Sequence, residues 1–204
     1  MPLTTSYWER DTSEPVVDTT VGELLRDAAA AAPGRTALVA GVAEAAGRRR
    51  WTYAELLEES ERTARALLGR FEPGERVAVW APNVPEWVIL EMGAGLAGLV
   101  LVTVNPAYRP AELAYVLRQS RSAGIVSVPE FRGNPMASSL EQVRPELEDL
   151  REAISFADWD QLLGSGSTSH PAVSAHPRSL RPPRSLPREL RKDAGNECES
   201  PIGG

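Results

Sequence analysis

The sequence predicts an α/β fold in which a mainly parallel sheet carries helices on both faces. Short apolar strands that begin at residues 76, 99 and 125 are separated by segments with helical periodicity. Parallel strands require crossover connections of this kind, and such connections are right-handed in nearly all proteins. With 204 residues the chain is long enough for one domain, or for one domain followed by a tail.

Two capping boxes mark the first helices. In Thr20-Val-Gly-Glu23 and Thr52-Tyr-Ala-Glu55, a threonine precedes a glutamate by three residues, so each side chain can bond to the other residue's backbone amide. Pro33-Gly34 ends the first helix, and Thr36–Ala40 then suits a short strand.

The second helix is strongly amphipathic. On its exposed face we expect the ion pairs Glu58–Arg62 and Glu61–Arg65, because residues four apart are neighbours on a helix. Six residues on the opposite face are expected to contact the core: Tyr53, Leu56, Leu57, Ala64, Leu67 and Leu68.

The later elements continue the alternation of strands and helices. Helices are expected to begin at Pro85 and Pro110, since proline suits the first turn of a helix, and a further helix spans Met136–Val143. Leu99–Val104 is almost entirely apolar, which is typical of a strand covered on both faces. The other strands are predicted at Arg76–Trp80, Ile125–Val128 and Ala153–Phe156.

The helices that begin at the two prolines should bury one side each. The expected buried side chains are Trp87, Val88 and Met92 in the first helix and Leu113, Val116 and Leu117 in the second. Between them lie Gly93, Gly95 and Gly98, which lack the spacing of a dinucleotide-binding loop. Close packing of helix against sheet explains these glycines better.

Every histidine, lysine and cysteine of the chain lies beyond Ser169. Residues 1–169 therefore cannot form a Ser-His-Asp triad, a thiolate nucleophile, a Schiff-base lysine or a His/Cys zinc site. Their acidic residues lie mostly on predicted helix faces or caps, where solvation is the expected role. The sequence thus assigns no catalytic and no metal-binding residue.

Charge and apolar patterning narrow the class of protein. A net charge of −6 is unsuited to binding nucleic acid. No apolar run is long enough for a transmembrane segment, and no secretory signal is visible at the N-terminus. The single cysteine fits a reducing compartment, so a cytoplasmic location is expected.

The composition changes near Gly164. Residues 1–164 form the predicted globular domain, whereas residues 165–204 begin with a Gly/Ser-rich run, contain many prolines and show no sustained periodicity. We expect this tail to be disordered. It arises either from a reading-frame change near codon 165 of a GC-rich gene or as a natural extension.

Residues 20–128 resemble the start of the adenylate-forming (AMP-binding) enzymes, and most closely the fatty-acid–CoA ligases. The order and spacing of five short stretches carry the resemblance, which runs from about Ser6 to about Gly164. The stretches are Thr20-Val-Gly-Glu-Leu-Leu25, Trp51-Thr-Tyr-Ala-Glu-Leu56, Gly74-Glu-Arg-Val-Ala-Val79, Pro82-Asn-Val-Pro-Glu-Trp87 and Val104-Asn-Pro-Ala-Tyr-Arg-Pro-Ala-Glu-Leu113.

The resemblance implies the N-terminal part of an AMP-binding domain. Intact members use ATP and Mg²⁺ to convert a fatty acid to an acyl-adenylate, and then transfer the acyl group to coenzyme A (CoA). The Ser/Thr/Gly-rich phosphate loop of the family ends in Pro-Lys-Gly, whereas this chain has no lysine before Lys192. Since adenylation depends on neutralising phosphate charge, we expect neither cofactor binding for catalysis nor ligase activity from this chain alone.

The resemblance also implies a CoA site. In related ligases, the loop that matches Asn105–Ala107 and an arginine near the position of Arg132 lie close to the CoA phosphates, and arginine suits such contacts. The alternatives are a plain strand-to-helix turn and an exposed loop residue. A second function also stays open: a non-catalytic interaction module that binds CoA or associates with a complementary chain that carries the remainder of a split enzyme.

Overall fold

A computed structural model of the protein describes Ser13 and residues 19–42 and 44–164. Three short 3₁₀ turns accompany the regular elements there, at Ala45–Gly47, Arg144–Glu146 and Phe156–Asp158. The helices are α1 (Val21–Ala31), α2 (Tyr53–Leu68), α3 (Pro85–Leu96), α4 (Pro110–Ser120), α5 (Met136–Val143) and α6 (Trp159–Gly164). The strands are β1 (Thr36–Val39), β2 (Arg50–Thr52), β3 (Arg76–Trp80), β4 (Val100–Val104), β5 (Gly124–Ser127) and β6 (Glu152–Ser155).

The main sheet is parallel, as predicted. Its four strands lie in the order β4-β3-β5-β6. In the register of the sheet, Val77 lies between Leu101 and Gly124, and Gly124 lies opposite Glu152. β1 and β2 form a separate antiparallel pair that contributes no strand to this sheet. The predicted disordered tail, residues 165–204, lies outside the described residues.

Helices cover both faces of the sheet, which confirms the predicted fold class. Because side chains alternate along a strand, Val77 and Val79 of β3 enter one apolar core, while Ala78 and Trp80 enter another. Residues of α1, α2, α3 and α6 complete the first core. Residues of α4 and α5 complete the second core.

Both predicted capping boxes are present. The amide of Glu23 donates to Thr20 Oγ1 at 3.1 Å, and the amide of Thr20 donates to the Glu23 carboxylate at 3.1 Å. In the second box, the amide of Glu55 donates to Thr52 Oγ1 at 3.3 Å, and the amide of Thr52 donates to the Glu55 carboxylate at 2.7 Å. The hydrogen bond from the Thr52 amide lowers the pKa of the Glu55 carboxyl. These local bonds fix where α1 and α2 begin.

Two expectations about helix surfaces are wrong. Neither predicted ion pair along α2, Glu58–Arg62 or Glu61–Arg65, is among those of the described residues. Glu61 instead lies 3.8 Å from Arg26, because α1 packs beside α2. In α3, Trp87, Val88 and Met92 are only half-buried, whereas Ile89 and Leu90 are fully buried. Almost every residue of this segment is apolar, so its periodicity indicates the buried side poorly.

β4 is not covered as its apolar sequence predicts. The strand forms one edge of the described sheet, its residues Val100 to Val102 are half-buried, and Thr103 is exposed. β3 and β5, which lie inside the sheet, are buried from Val77 to Trp80 and throughout β5. In a parallel sheet, continuous apolar sequence reflects burial of both faces, so β4 has the sequence of an inner strand in an edge position.

A close helix contact explains Gly93. A Cβ atom there would lie 2.7 Å from Thr63 Cγ2 and 3.0 Å from the Ser60 carbonyl oxygen, both in α2. The predicted close packing therefore exists, but it joins helix to helix rather than helix to sheet. Gly98 instead adopts φ +69° in the turn that leads into β4.

Ion pairs fasten β6 to the amino end of the sheet. Arg151 binds the Glu75 carboxylate through both of its terminal guanidinium nitrogens, with Nη1 2.8 Å from Glu75 Oε1. Its Nη2 also donates to the Arg70 carbonyl at 3.2 Å. Nη1 of Arg70 in turn lies 3.0 Å from Oε2 of Glu152. The two bonds from Arg151 lower the pKa of the Glu75 carboxyl. This cluster is distant from the carboxyl ends of the strands.

The contact between α2 and α3 predicts a difference between two glycines of one helix. Gly93→Ala should clash with the buried Thr63, while Gly95→Ala should make only an ordinary contact, 3.5 Å from Val21 Cβ. Both changes gain the same helix propensity, so Gly93→Ala should be less stable than Gly95→Ala by about 1–3 kcal/mol. Denaturant unfolding of the two variants measures the difference. Equal midpoints would show that the helices do not approach as closely as described.

Candidate functional site

The sheet places three loops together at the carboxyl ends of its strands. α3 leads from β3 to β4 on one side, and α4 leads the chain back past β3 to β5 on the other. In open α/β sheets, ligands bind outside the carboxyl ends where the strand order reverses in this way. The loops at that position are residues 81–84, 105–109 and 128–135, and they include every residue of the predicted CoA site.

The loop after β4 is held by its own side chains and by the sheet. Asn105 Oδ1 accepts a hydrogen bond from the Ala107 amide at 2.9 Å, and the Tyr108 amide donates to the Asn105 carbonyl at 3.0 Å. The same carbonyl accepts a 2.9 Å bond from Nε1 of Trp80, a side chain that is completely buried. The described role of the Asn105 side chain is therefore to shape the loop.

The loop after β5 contains a tight turn that presents Arg132. Phe131 and Asn134 exchange backbone hydrogen bonds of 3.1 and 2.8 Å, and the residues between them, Arg132 and Gly133, have φ of 50° and 75°. Positive φ at both central positions is the pattern of a type I′ turn. Such a φ is uncommon for any residue other than glycine, so Arg132 adopts a costly backbone conformation here. Its guanidinium lies 5.1 Å from the Phe131 ring centroid.

One buried side chain joins the loop to the turn. Nδ2 of Asn134 donates to the Pro106 carbonyl at 2.9 Å and to the Tyr108 carbonyl at 3.2 Å. Asn134 is only 8% exposed, and its Oδ1 has no hydrogen-bond partner among the described residues. The structure therefore brings the turn that carries Arg132 against the loop that contains Asn105 and Ala107, although 24 residues separate Ala107 from Arg132.

The surroundings of the joined loops are mixed in charge and partly apolar. Arg109 and Arg132 are exposed, while Glu112 accepts a 2.9 Å hydrogen bond from the Arg109 amide at the start of α4. An open cavity of about 310 Å³ adjoins the loop at Tyr108. Its other lining residues are Ala111, Glu112, Tyr115 and Val116.

This arrangement can bind an anion but offers no evident catalytic group. A guanidinium suits a phosphate because it provides several charge-assisted donors. The described residues contain no cluster of three or more His, Cys, Asp or Glu side chains that could hold a metal ion. Among those residues, no helix combines the length and apolar character needed to cross a bilayer.

Sequence reasoning missed Asn134 and Trp80, which hold the site together. Asn134 lies in Arg132-Gly-Asn-Pro135, a run rich in turn-forming residues, so a turn could have been predicted there. Nothing local indicates that its side chain bonds to a loop 26 to 28 residues earlier. Trp80 was predicted only as a strand residue, and its hydrogen bond depends on the tertiary path of the β4 loop.

The fold and the sequence both identify the family. The AMP-binding enzyme family matches residues 25–190, and the chain belongs to that family. The match crosses the predicted boundary at Gly164, so the position of that boundary stays a prediction. The resemblance inferred from the short stretches between residues 20 and 113 is confirmed.

Two similar proteins are an acyl-CoA ligase and a putative acyl-CoA synthetase. The chain is 40% identical over 144 residues to the mitochondrial medium-chain acyl-CoA ligase ACSF2 of Mus musculus, a match that covers 70% of this chain and 23% of the mouse protein. It is 33% identical over 137 residues to the putative acyl-CoA synthetase YngI of Bacillus subtilis, a match that covers 67% of this chain and 24% of the Bacillus protein. The chain thus spans about a quarter of the length of these relatives.

A solved structure shows the same fold. The N-terminal domain of FACL13 from Mycobacterium tuberculosis superimposes with a TM-score of 0.66 at 26% identity, covering 78% of this chain and 39% of that domain. The described residues therefore correspond to part of an acyl-CoA ligase N-terminal domain.

Proposed function

We propose that this chain supplies part of an AMP-forming fatty-acid–CoA ligase, and that its contribution includes a contact site for the CoA phosphates. The names of its relatives support the reaction class. The observation that carries the site is the contact between the β4 loop and the Arg132 turn through Asn134. In the intact enzyme the substrates would be a fatty acid, ATP with Mg²⁺, and CoA.

The chemistry at the carboxyl edge fits an exposed phosphate contact. Arg132 is exposed and held on a short turn, so its guanidinium can reach a phosphate outside the protein without losing a buried partner. The positive φ at Arg132 belongs to the type I′ turn, which holds this side chain at the surface beside the β4 loop. The Asn105 side chain and Ala107 amide shape the neighbouring loop rather than offering free groups.

The same proposal holds that this chain by itself does not form an adenylate. Adenylation requires positive charge and ordered donors around the ATP phosphates, and the body of the chain has no lysine before Lys192. The proposed location is the cytoplasm, which the single cysteine supports.

A second candidate function rests on the edge of the sheet. β4 has the apolar sequence of an inner strand but is half-buried, and Tyr115 on the neighbouring α4 is 60% exposed. Among the described residues no strand pairs with the outer side of β4, and an apolar edge of this kind can accept a further strand. A complementary chain that carries the remaining ligase motifs would cover this edge, and copurification of such a chain would support this function.

The phosphate contact predicts that one arginine controls CoA binding. Arg132→Gly removes the guanidinium and should weaken binding of CoA to the 204-residue chain at least about tenfold, since a charge-assisted hydrogen bond contributes roughly 1.5–3 kcal/mol. Glycine accepts a positive φ readily, so loss of the fold is not the expected cause. Isothermal titration calorimetry measures the dissociation constant.

Arg121→Gly is the matched control. Arg121 is also exposed and has φ 51°, but it follows α4 at the opposite, amino end of the sheet. Its replacement removes the same charge and the same backbone strain, so CoA binding should not change. If the two variants bind CoA equally well, Arg132 is not a phosphate contact.

An adenylation assay tests the proposal that this chain by itself does not form an acyl-adenylate. The purified 204-residue protein should show no ATP–pyrophosphate exchange with medium- or long-chain fatty acids above the level without enzyme. The physical reason is the absence of a lysine-bearing phosphate loop from residues 1–169. Sustained exchange that copurifies with the chain would contradict the proposal.

A further inference from the structure

We infer that Asn134 is a positioning residue for the CoA phosphate contact, acting through Arg132 rather than touching the ligand. This inference rests on the proposed function. Asn134 belongs to the Arg132 turn by its backbone and to the β4 loop by its side chain. It therefore sets where the guanidinium stands relative to Asn105 and Ala107.

The amide group of Asn134 is fully committed as a donor. Its two N–H bonds end on the carbonyl oxygens of Pro106 and Tyr108, at 2.9 and 3.2 Å. Both acceptors belong to the β4 loop, on either side of Ala107. Two bonds from one planar group fix both the distance and the orientation between the loop and the turn.

Few other side chains can replace this group. An aspartate of the same shape would place a second oxygen against the two carbonyls, and alanine would leave them without these donors. Water cannot readily take over, because Asn134 is 8% exposed. Among the described residues Oδ1 has no hydrogen-bond partner, so the two donated bonds are the side chain's whole hydrogen-bonding contribution there.

Tyr108 and Phe131 pack against the same apolar core, but among the described residues only the Asn134 side chain joins the two loops by hydrogen bonds. Trp80 Nε1 fastens the β4 loop to the sheet through the Asn105 carbonyl at 2.9 Å. The backbone bonds between Phe131 and Asn134 close the turn without any help from the Asn134 side chain. Replacement of that side chain should therefore leave both loops formed and loosen only their relative position, and small displacements of a binding group are costly.

A double-mutant cycle tests the inference. CoA affinity is measured by calorimetry on the full 204-residue chain with Arg132→Gly, Asn134→Ala, both changes, and neither. Asn134→Ala alone should weaken CoA binding about fivefold to tenfold, while adding it to Arg132→Gly should change affinity by less than about twofold, because coupled residues are not additive. A general loosening of the structure would weaken both backgrounds equally.

Asn134→Leu gives the same comparison if Asn134→Ala fails to unfold cooperatively, because leucine branches at the same atom as asparagine, lacks its donors and adds no charge near the phosphates. Equal losses in both backgrounds overturn the positioning role. So does an unchanged affinity in Asn134→Ala when Arg132→Gly binds weakly, although the proposed CoA contact then stands. If the unaltered chain does not bind CoA, or if Arg132→Gly binds as well as the unaltered chain, the proposed contact fails and the positioning role fails with it.

Discussion

The burial of β3 between two apolar cores is the constraint on which the rest of the structure depends. Val77 and Val79 face one core, while Ala78 and Trp80 face the other, so both helical layers pack on this strand. β3 also pairs with both β4 and β5, which brings their carboxyl ends side by side. Because Trp80 ends the strand and bonds to the Asn105 carbonyl, the same packing fixes the first loop of the candidate site.

The site is then completed by a contact between segments that are distant in sequence. Asn134 joins the β4 loop to the turn after β5, and the turn accepts an unfavourable φ at Arg132. The anion site that we propose consists of these two hydrogen-bonded loops with the exposed Arg109 and Arg132, so little ordering would remain for binding. The Arg151–Glu75 cluster fastens β6 at the opposite end of the sheet, away from the proposed site.

Local signals in the sequence predict much of the fold but not the contacts that build the site. Each capping box requires only four consecutive residues, and α1 and α2 begin where the boxes predict. β2 was missed because three residues give too short a pattern, and the exposure of β4 depends on strand order, which an apolar run cannot reveal. The family resemblance indicated the Arg132 position, whereas Asn134 could be found only from the tertiary structure.

The central claim is that CoA binds at the carboxyl edge of the sheet, against the two joined loops. Amide chemical shifts recorded by NMR during a CoA titration test this most directly. The largest changes should fall on Ala107, Gly133 and the Trp80 indole N–H, with little change at Gly74, which lies at the amino edge. Shifts concentrated at the amino edge, or no shifts at saturating CoA, would contradict the claim.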